Sequence, residues 1–457
     1  MTLDIPNQRQ SLCGWGRTRP STAKVFSPTK VEQIQELIGQ VETASLIPRG
    51  LGRAYGDAAQ AADANVIDLG AFTDIQIDHD QRIATAGAGA SFENILKKIV
   101  PAGFFLPVTP GTSQVSLGGA VAADVHGKNH HGEGSFGNHL LRIQLIDGNG
   151  QLRDLSPTSD AKNAAAFWAT VGGMGLTGVI TEASFKLIPI QTSLISVDTD
   201  RHTNLDSLMA AMLKEDELYR YSVAWIDSLH PQGRGVLTRG DHASPEQLHS
   251  EQPDQINNPL SYNPKALASA PNFLPGGLLN NWTVRAFNET WFRKAPKHRV
   301  GELQAISPYF HPLDGVSDWN RIYGPAGFLQ YQFAVPDSEA QLVPQTLEAL
   351  RRIGAPSFLT VLKRFGPGNP GPLSFPQPGW TLAADVPAAV PGLEETLNQL
   401  DEKVAAAGGR LYLAKDSRQS AATFQQCYPR LAEWQTQKQR LDPRGIFSSD
   451  LARRLLI

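Results

Sequence analysis

The chain has 457 residues, of which 41% are hydrophobic and 19% are charged, with 41 glycines and 32 prolines. This composition is typical of a globular protein with many turns, and it excludes collagen, coiled coil and long-range disorder. The 41 lysines and arginines nearly balance the 44 aspartates and glutamates, and the formal charge of −3 offers nucleic acid no general electrostatic attraction. We expect no nucleic-acid partner, so any anion site must be local.

The cysteines and the apolar segments bear on the location of the protein. Cys13 and Cys427 have no C-x-x-C spacing, so a reducing compartment is the default expectation. Residues 1–20 are polar and lack the apolar core of a secretory signal. No run supplies the roughly 18 apolar residues of a membrane span. We therefore expect a soluble protein that is cytoplasmic or associated with a membrane only peripherally.

The first hundred residues are predicted to mix helices and strands. A Thr-x-x-Glu capping box at residues 29–32 precedes apolar residues spaced three and four apart, which predicts a helix. The glycine-rich residues 49–57 follow a short apolar run and predict a loop at the end of a strand. Residues 65–69 and 82–86 predict strands, and Ser91 is the predicted cap of a further helix.

The rest of the chain changes character near residue 190. Before it, residues 110–139 are rich in glycine and histidine, and the turn sequence at residues 147–150 predicts a hairpin. Beyond it, strand-like runs alternate with a Pro- and Asn-rich stretch, residues 253–281. Its apolar residues 273–274 and 278–279 lie in a sequence too rich in Pro and Asn to build a core, so we predict a flexible flap that meets a lipid tail or a membrane surface. An ordinary disordered loop fits at least as well.

Two glycine patterns are similar to the fingerprint of a dinucleotide-binding fold. Residues 132–137 and 173–178 both match G-x-G-x-x-G. The Rossmann fingerprint needs a strand, the glycine loop and then a helix, and neither match opens such a unit. Plain turns would explain any one of these loops. Several of them within 190 residues indicate backbone amides that approach a large phosphate ligand.

Histidine and lysine residues provide further candidates for a site. His126 and His130 have H-x-x-x-H spacing, but their segment lacks helical character and matches no zinc pattern, so we predict no metal site. Histidines that line a ligand site fit better. Lys415 follows the strand-like residues 411–414, where a lysine is usually a solvated charge. In a closed site it would instead bind an oxyanion or serve as a base.

Several of these segments together resemble the FAD-linked oxidases of the vanillyl-alcohol-oxidase type. The resemblance implies an α+β fold with a two-lobed FAD-binding domain, residues 1–190, and an inserted antiparallel-sheet substrate-binding domain, residues 191–409. Residues 410–457 would return to the FAD-binding domain. The resemblance rests on residues 14–18, 49–57, 110–112, 118–120, 126–131, 135–139, 173–178, 324–333, 365–369, 414–418 and 442–447.

A narrower resemblance is to members of this family that act on a lipid-linked sugar. They oxidise the 2'-hydroxyl of decaprenylphosphoryl-β-D-ribofuranose to the 2'-keto sugar, the first half of an epimerisation that supplies the arabinofuranose donor for cell-wall arabinan. This resemblance implies noncovalent FAD, a polyprenylphosphoryl sugar substrate and an NADH-dependent keto-reductase partner. The alternatives are another FAD-linked sugar-alcohol or alditol oxidase and a flavin-free lipid-phosphate-binding protein.

The resemblance also implies individual site residues. Lys415, Tyr55 and His126 would be catalytic, with Lys415 as a neutral base or as a cation that stabilises an alkoxide. Many relatives have cysteine and asparagine where this chain has Ala383 and Thr381, so a thiol is dispensable here. The implied cofactor contacts are Trp15, Arg49, Gly50, Leu51, Gly52, Arg53, Ala54, Tyr55, Gly56, Gly111, Thr112, Gly119, Ala120, His126, Val179 and Tyr412. The implied substrate contacts are Lys128, Tyr323, Gln330, Gln332, Lys363, Thr381, Ala383 and Lys415.

Overall fold

The computed structural model describes residues 5–41, 43, 45–248, 256–271 and 273–457, and it shows a mixture of helices and mainly antiparallel sheets. The strands are β1 (Asn7–Leu12), β2 (Ser21–Phe26), β3 (Leu46–Arg49), β4 (Asn65–Asp68), β5 (Ile75–Asp78), β6 (Ile83–Gly87), β7 (Phe104–Phe105), β8 (Leu140–Ile146), β9 (Leu152–Leu155), β10 (Val179–Lys186), β11 (Ile188–Pro189), β12 (Leu194–His202), β13 (Tyr221–Ile226), β14 (Gly235–His242), β15 (Ala268–Ser269), β16 (His298–Ala305), β17 (Val316–Ser317), β18 (Phe328–Val335), β19 (Thr360–Phe365), β20 (Gly379–Pro387) and β21 (Arg410–Leu411). The α-helices include Val31–Gln40, Phe92–Ile99, Leu117–Ala122, His130–Glu133, Ala161–Thr170, Leu205–Glu215, Asn281–Lys294, Ile306–Phe310, Leu342–Arg352, Leu393–Ala406, Ala421–Cys427, Leu431–Leu441 and Asp450–Leu455.

Besides the short antiparallel pair of β7 and β11, the described part of the first 190 residues contains two sheets. One has the strand order β1-β2-β4-β3 with both parallel and antiparallel pairs, and the other has the antiparallel order β5-β6-β10-β8-β9. The predicted hairpin at residues 147–150 is confirmed as the turn between β8 and β9. The helix predicted after residue 29 is present, but its capping box is wrong: the Thr29 amide donates to the side chain of Gln33 instead of pairing with Glu32.

An eight-stranded antiparallel sheet dominates the second half, with the order β16-β12-β14-β13-β19-β20-β18-β21. Helices Leu205–Glu215, Leu342–Arg352 and Leu393–Ala406 contribute buried leucines to the same core as Leu362 of β19 and Leu382 of β20. Successive side chains of a strand point to opposite faces. The neighbours of these two leucines therefore point to the face that the helices leave uncovered.

The C-terminal segment contacts both halves of the molecule. Its strand β21 pairs with β18 of the eight-stranded sheet, whereas Phe447 forms a parallel bridge with Leu46 of β3. The strand predicted for residues 411–414 ends at Leu411. Lys415 lies in the turn that follows, where its amide donates to the Tyr412 carbonyl over 2.9 Å.

The Pro- and Asn-rich stretch is only partly described. Residues 253–255 and 272 of the predicted loop lie outside the described residues. The described part contains β15, which pairs in parallel with β17, and it ends at helix Asn281–Lys294. Among the residues that the structure describes, no helix has both the length and the apolar composition needed to cross a membrane.

Candidate active site

A cavity of about 1290 Å³ lies between the glycine-rich loops and the uncovered face of the eight-stranded sheet. Residues 49–55 and 109–120 form much of one wall, and side chains of β18, β19 and β20 form much of the other. Ligand pockets usually measure about 300–1,000 Å³. The cavity is therefore large enough for more than one small ligand.

The glycine-rich wall is shaped by close packing of the backbone. A Cβ at Gly50 would lie 2.0 Å from the Ser116 hydroxyl oxygen, so only glycine fits there. Gly52 has a φ of +63°, which also favours glycine. The Arg49 guanidinium holds the loop by donating to the carbonyls of Ala59 and Cys13 over 2.7 and 2.9 Å.

Arg53 gives this wall an unsatisfied donor. Its guanidinium carbon lies 4.0 Å from the centre of a Trp15 ring, and both residues line the cavity. The Arg53 Nε is buried and has no hydrogen-bond partner among the described residues. A buried cationic donor of this kind fits an anionic group such as the diphosphate of a dinucleotide.

Lys415 and Tyr55 meet at the junction of the two walls. The Lys415 Nζ lies 3.7 Å from the centre of the Tyr55 ring, and the Tyr55 amide donates to the Ala414 carbonyl over 2.8 Å. Gln330 donates to the Tyr55 hydroxyl over 3.4 Å and also forms a short hydrogen bond to Asp385. The loop, the turn and the sheet thus converge on one buried polar cluster.

His126 is buried between the same two walls. Its Nδ1 lies 3.5 Å from the Lys363 Nζ, and its Nε2 lies 3.0 Å from the side-chain amide of Gln332. Gln332 in turn donates to the Thr381 hydroxyl over 3.3 Å. Burial and the charge of Lys363 hold the pKa of His126 well below its usual value, so the imidazole is neutral at physiological pH.

Three lysines, Lys128, Lys363 and Lys415, line the cavity, and we call them the cavity lysines. Burial and the charge of Lys363 lower the pKa of Lys128 to about 7, and burial lowers the pKa of Lys363 to about 8. Burial also lowers the pKa of Lys415, although the charge of Asp385 opposes this effect. Cations held in this way gain stability when an anionic ligand enters.

The structure brings most of the predicted site residues together around this cavity. Four of them lie outside its lining: Gly56, Val179, Tyr323 and Thr381. A Cβ at Gly56 would lie 1.9 Å from the Asp416 carbonyl oxygen, and the Tyr323 ring stacks on Phe328. The predicted residues in the lining are Trp15, Arg49, Gly50, Leu51, Gly52, Arg53, Ala54, Tyr55, Gly111, Thr112, Gly119, Ala120, His126, Lys128, Gln330, Gln332, Lys363, Ala383, Tyr412 and Lys415.

Three residues of this region were not predicted from the sequence. Asp385 is fully buried, and burial raises its pKa. Asp314 accepts hydrogen bonds from the Thr112 hydroxyl and the Ser113 amide over 2.5 and 2.7 Å, which ties the glycine-rich wall to the short helix Pro312–Gly315. The carbonyl of Tyr309 accepts a hydrogen bond from Lys128. Only Asp385 left a signal in the sequence, because it is the one charged residue of a mostly apolar strand.

The chain is similar to known FAD-linked enzymes along its whole length. An FAD binding domain model matches residues 22–156, and a D-arabinono-1,4-lactone oxidase model matches residues 388–455. The decaprenylphosphoryl-beta-D-ribose oxidase of Mycolicibacterium smegmatis is 42% identical over 99% of both chains. An uncharacterized protein in the mprA 5' region of Streptomyces coelicolor is 36% identical over 80% of this chain and 99% of its own.

A more distant relative adds a second sugar-oxidising enzyme. The L-gulono-1,4-lactone dehydrogenase of Mycobacterium tuberculosis is 22% identical over 94% of this chain and 95% of its own. The glycine loops of the cavity fall within the matched FAD binding domain, so the cofactor of this protein is FAD. The protein is an FAD-dependent oxidoreductase, and it belongs to the family of the decaprenylphosphoryl-beta-D-ribose oxidases.

Proposed function

We propose that this oxidoreductase converts the 2'-hydroxyl of decaprenylphosphoryl-β-D-ribofuranose to the 2'-keto sugar. The name of the relative with 42% identity supports this substrate. The structural observation behind the proposal is the placement of the three cavity lysines around one cavity whose apolar sheet face continues away from them. A substrate with a sugar, a phosphate and a lipid chain matches that arrangement.

FAD, when bound, supplies the capacity for two-electron oxidation. We propose that the glycines of residues 49–55, together with Arg53 and residues 111–120, hold its diphosphate, because close backbone approach and an unsatisfied cationic donor suit that group. Trp15, Tyr55 and Tyr412 contribute aromatic surface to the same cavity. The lining thus accommodates the cofactor without a Rossmann motif.

Lys415 handles the proton of the reacting hydroxyl in this proposal. With its pKa lowered by burial, a neutral Lys415 can accept the proton, and a charged one can stabilise the alkoxide. Gln330 holds the Tyr55 hydroxyl and Asp385 in fixed positions beside it. Lys128 and Lys363 bind the phosphate. His126 is neutral, so it orients Gln332 and the sugar by hydrogen bonds rather than by charge.

We also propose the two-lobed arrangement of the vanillyl-alcohol-oxidase type, with residues 1–190 and 410–457 as the FAD lobe and 191–409 as the substrate lobe. The bridge between Phe447 and Leu46 supports the return of the C-terminal segment. The pairing of β21 with β18 places the start of that segment on the substrate sheet. Limited proteolysis near residues 190 and 409 that releases residues 191–409 as a stable fragment would test the division.

Two partners belong to the proposal. An NADH-dependent keto-reductase would reduce the 2'-keto product, since epimerisation requires return of hydrogen to the opposite face. A peripheral membrane contact is supported by exposed aromatic residues, including Phe273 and Trp282, which are 83% and 85% exposed. Co-sedimentation with anionic vesicles, before and after Trp282→Ser, would test that contact.

An FAD-linked oxidase of a soluble sugar lactone or alditol is the second candidate. The match of residues 388–455 to the D-arabinono-1,4-lactone oxidase model favours it. Such a substrate has no lipid chain and no phosphate for Lys128 and Lys363. A flavin-free lipid-phosphate-binding protein, in contrast, lacks support because of the FAD binding domain match.

Anaerobic mixing tests the proposed reaction directly. The holoenzyme is mixed with synthetic polyprenylphosphoryl ribose, and loss of flavin absorbance is followed together with formation of the 2'-keto sugar. The 2'-deoxyribose analogue is the matched control and should cause no loss of absorbance. Rapid loss of absorbance with arabinonolactone or an alditol, and none with the ribose substrate, would favour the second candidate.

A further inference from the structure

A row of side chains crosses the uncovered face of the eight-stranded sheet. Gln332 of β18 lies opposite Ala383 of β20, Ala383 opposite Val361 of β19, Val361 opposite Trp225 of β13, and Trp225 opposite Val236 of β14. All five residues line the cavity. Directly opposed residues lie about 5 Å apart, so the row extends for roughly 20 Å. We call Ala383, Val361, Trp225 and Val236 the apolar row.

The apolar row begins at the polar cluster and ends at a charged rim. Its first neighbour is Gln332, which contacts His126, and Lys363 lies two residues beyond Val361 on the same face of β19. Beyond Val236, the rim of the cavity contains charged and polar side chains of the outer strands and the preceding helix. These are Lys294, Arg299, Glu302 and Gln304.

The apolar row offers no hydrogen bonds to a polar ligand. The Nε1 of Trp225 donates to the Phe358 carbonyl over 2.9 Å, so the indole presents only apolar surface to the cavity. Val361, Trp225 and Ala383 are half-buried, although helices cover the opposite face of the same sheet. An apolar strip of this length inside a deep cavity is typical of a site that is completed by an apolar ligand.

We propose that the apolar row binds the first isoprene units of the polyprenyl chain, with the phosphate at Lys363 and Lys128 and the chain leaving past Arg299. This inference rests on the proposed function. Across the sheet, β18 beside Lys415 comes first, Lys363 lies next to Val361 on β19, and Trp225 and Val236 follow. This is the order of sugar, phosphate and chain in the substrate. A soluble alditol would leave the row without a ligand.

A pair of isosteric substitutions tests the inference in the holoenzyme. Val361→Thr with Val236→Thr keeps the shape of the row but places two hydroxyl groups where the chain would desolvate them. Calorimetric titration gives the Kd of long-chain geranylgeranyl phosphate and of short-chain isopentenyl phosphate. We expect the double variant to weaken the long-chain ligand about tenfold or more. The Kd of the short-chain ligand should increase by a smaller factor, because this ligand reaches Val361 at most and cannot reach Val236.

Val300→Thr is the matched control. Val300 lies on β16, is 64% exposed and does not line the cavity, so its substitution should leave both Kd values unchanged. Retained FAD and an unchanged Tm show that the double variant is folded. If it loses FAD, the single variant Val361→Ala removes apolar contact without a polar atom and should still weaken the long-chain ligand several-fold.

The outcomes separate this inference from the proposed function. Equal weakening of both phosphates, or no weakening of either, overturns the apolar row even if the ribose substrate is oxidised. Selective weakening of the long-chain phosphate, without loss of flavin absorbance upon addition of polyprenylphosphoryl ribose, supports the row and refutes the proposed reaction.

Discussion

Two groups of buried cations in this protein differ in what surrounds them. Arg454 forms ion pairs with Asp57 at 2.8 Å and Asp416 at 2.9 Å, and these contacts raise its pKa although burial opposes them. The cavity lysines have lowered pKa values, and among the described residues none lies within ion-pair distance of a carboxylate. The Arg454 charge is satisfied within the chain, whereas the lysine charges are left for a ligand.

We infer from this difference that the ion pairs of Arg454 stabilise the fold, whereas the cavity lysines are available to an anionic ligand. Breaking a buried pair leaves an uncompensated charge in the folded protein. Removing a cation without a partner relieves desolvation instead. Substitutions in the two groups should therefore separate loss of stability from loss of activity.

The largest effect is expected for Lys415→Ala. A positioned acid-base group contributes about a hundredfold to ten-thousandfold to the rate, so the anaerobic rate of flavin reduction should fall by that factor. FAD should remain bound at normal stoichiometry. Among the described residues, the Lys415 side chain forms no hydrogen bond to the glycine loops. Stopped-flow absorbance measures the rate, and a variant reduced at the parent rate would refute the role.

The pH dependence of the same rate distinguishes the two roles of Lys415. As a neutral base, the lysine becomes active as pH rises through its lowered pKa, so the rate should increase with pH. As a charged stabiliser, it loses its proton over the same range, and the rate should decrease. The lysine role would be contradicted if Lys415→Ala retained the pH profile of the parent.

Arg454→Met should cause the largest loss of stability. It leaves Asp57 and Asp416 buried without their cation, and we expect a loss of about 3–5 kcal/mol in the free energy of unfolding. Arg9→Met is the control, since Arg9 and Asp63 form a pair with both side chains exposed, and its loss should be below about 1 kcal/mol. Equal losses in urea unfolding would remove the distinction between buried and exposed pairs.

Two buried histidines should have a smaller effect on stability than Arg454, and this effect should depend on pH. Burial lowers the pKa of both His130 and His311 to about 3. Below the unfolded pKa of about 6.5, the unfolded chain binds protons that the folded protein does not, so stability falls as pH falls from about 6.5 toward about 3. At pH 5.5 each histidine should cost about 1.4 kcal/mol relative to pH 8.

Urea unfolding of the parent and of His311→Gln at these two pH values measures the histidine contribution. In the variant, the difference in the free energy of unfolding between pH 8 and pH 5.5 should be smaller by the contribution of one histidine. An unchanged difference between pH 8 and pH 5.5 would show that His311 is protonated in the folded protein.

The smallest effect is expected beside the cavity lysines, for Ala383→Cys. The residue is half-buried in the cavity wall and forms no side-chain hydrogen bond, so the added thiol should change the reduction rate less than about twofold. Labelling of the new thiol by iodoacetamide should be slowed by polyprenylphosphoryl ribose. Labelling at the same rate with and without substrate would place the substrate elsewhere.

Local sequence predicted those parts of the fold that local interactions determine. Ser91 caps helix Phe92–Ile99 as expected, because its side chain accepts the Asn94 amide within the same turn. The strand predicted for residues 411–414 failed because the amides of Lys415 and Asp416 both donate to the Tyr412 carbonyl, which turns the chain. Four residues of alternating pattern are too few to exclude such a turn.

Family motifs, rather than spacing alone, indicated the residues that the fold gathers around the cavity. Motifs indicated Lys415 and Tyr55, which the fold brings to 3.7 Å although 360 positions separate them. Asp385 was not predicted as a site residue because it is linked to the Tyr55 cluster only through Gln330. Gln330 is its cross-strand neighbour, and sequence order does not reveal this pairing. Thr381 accepts a hydrogen bond from Gln332 and lies opposite Lys363, but it does not line the cavity, so its contact with the substrate stays a prediction.

The bridge between Leu46 and Phe447 has a consequence for the timing of folding on the ribosome. The Leu46 amide donates to the Ile446 carbonyl, and the Ser448 amide donates to the Leu46 carbonyl. Translation of the roughly 400 intervening residues takes about 20–80 s at about 5–20 residues per second. During that interval this edge of β3 remains without its native partner. The nascent chain therefore exposes an unpaired strand edge, where chaperones or neighbouring chains can associate.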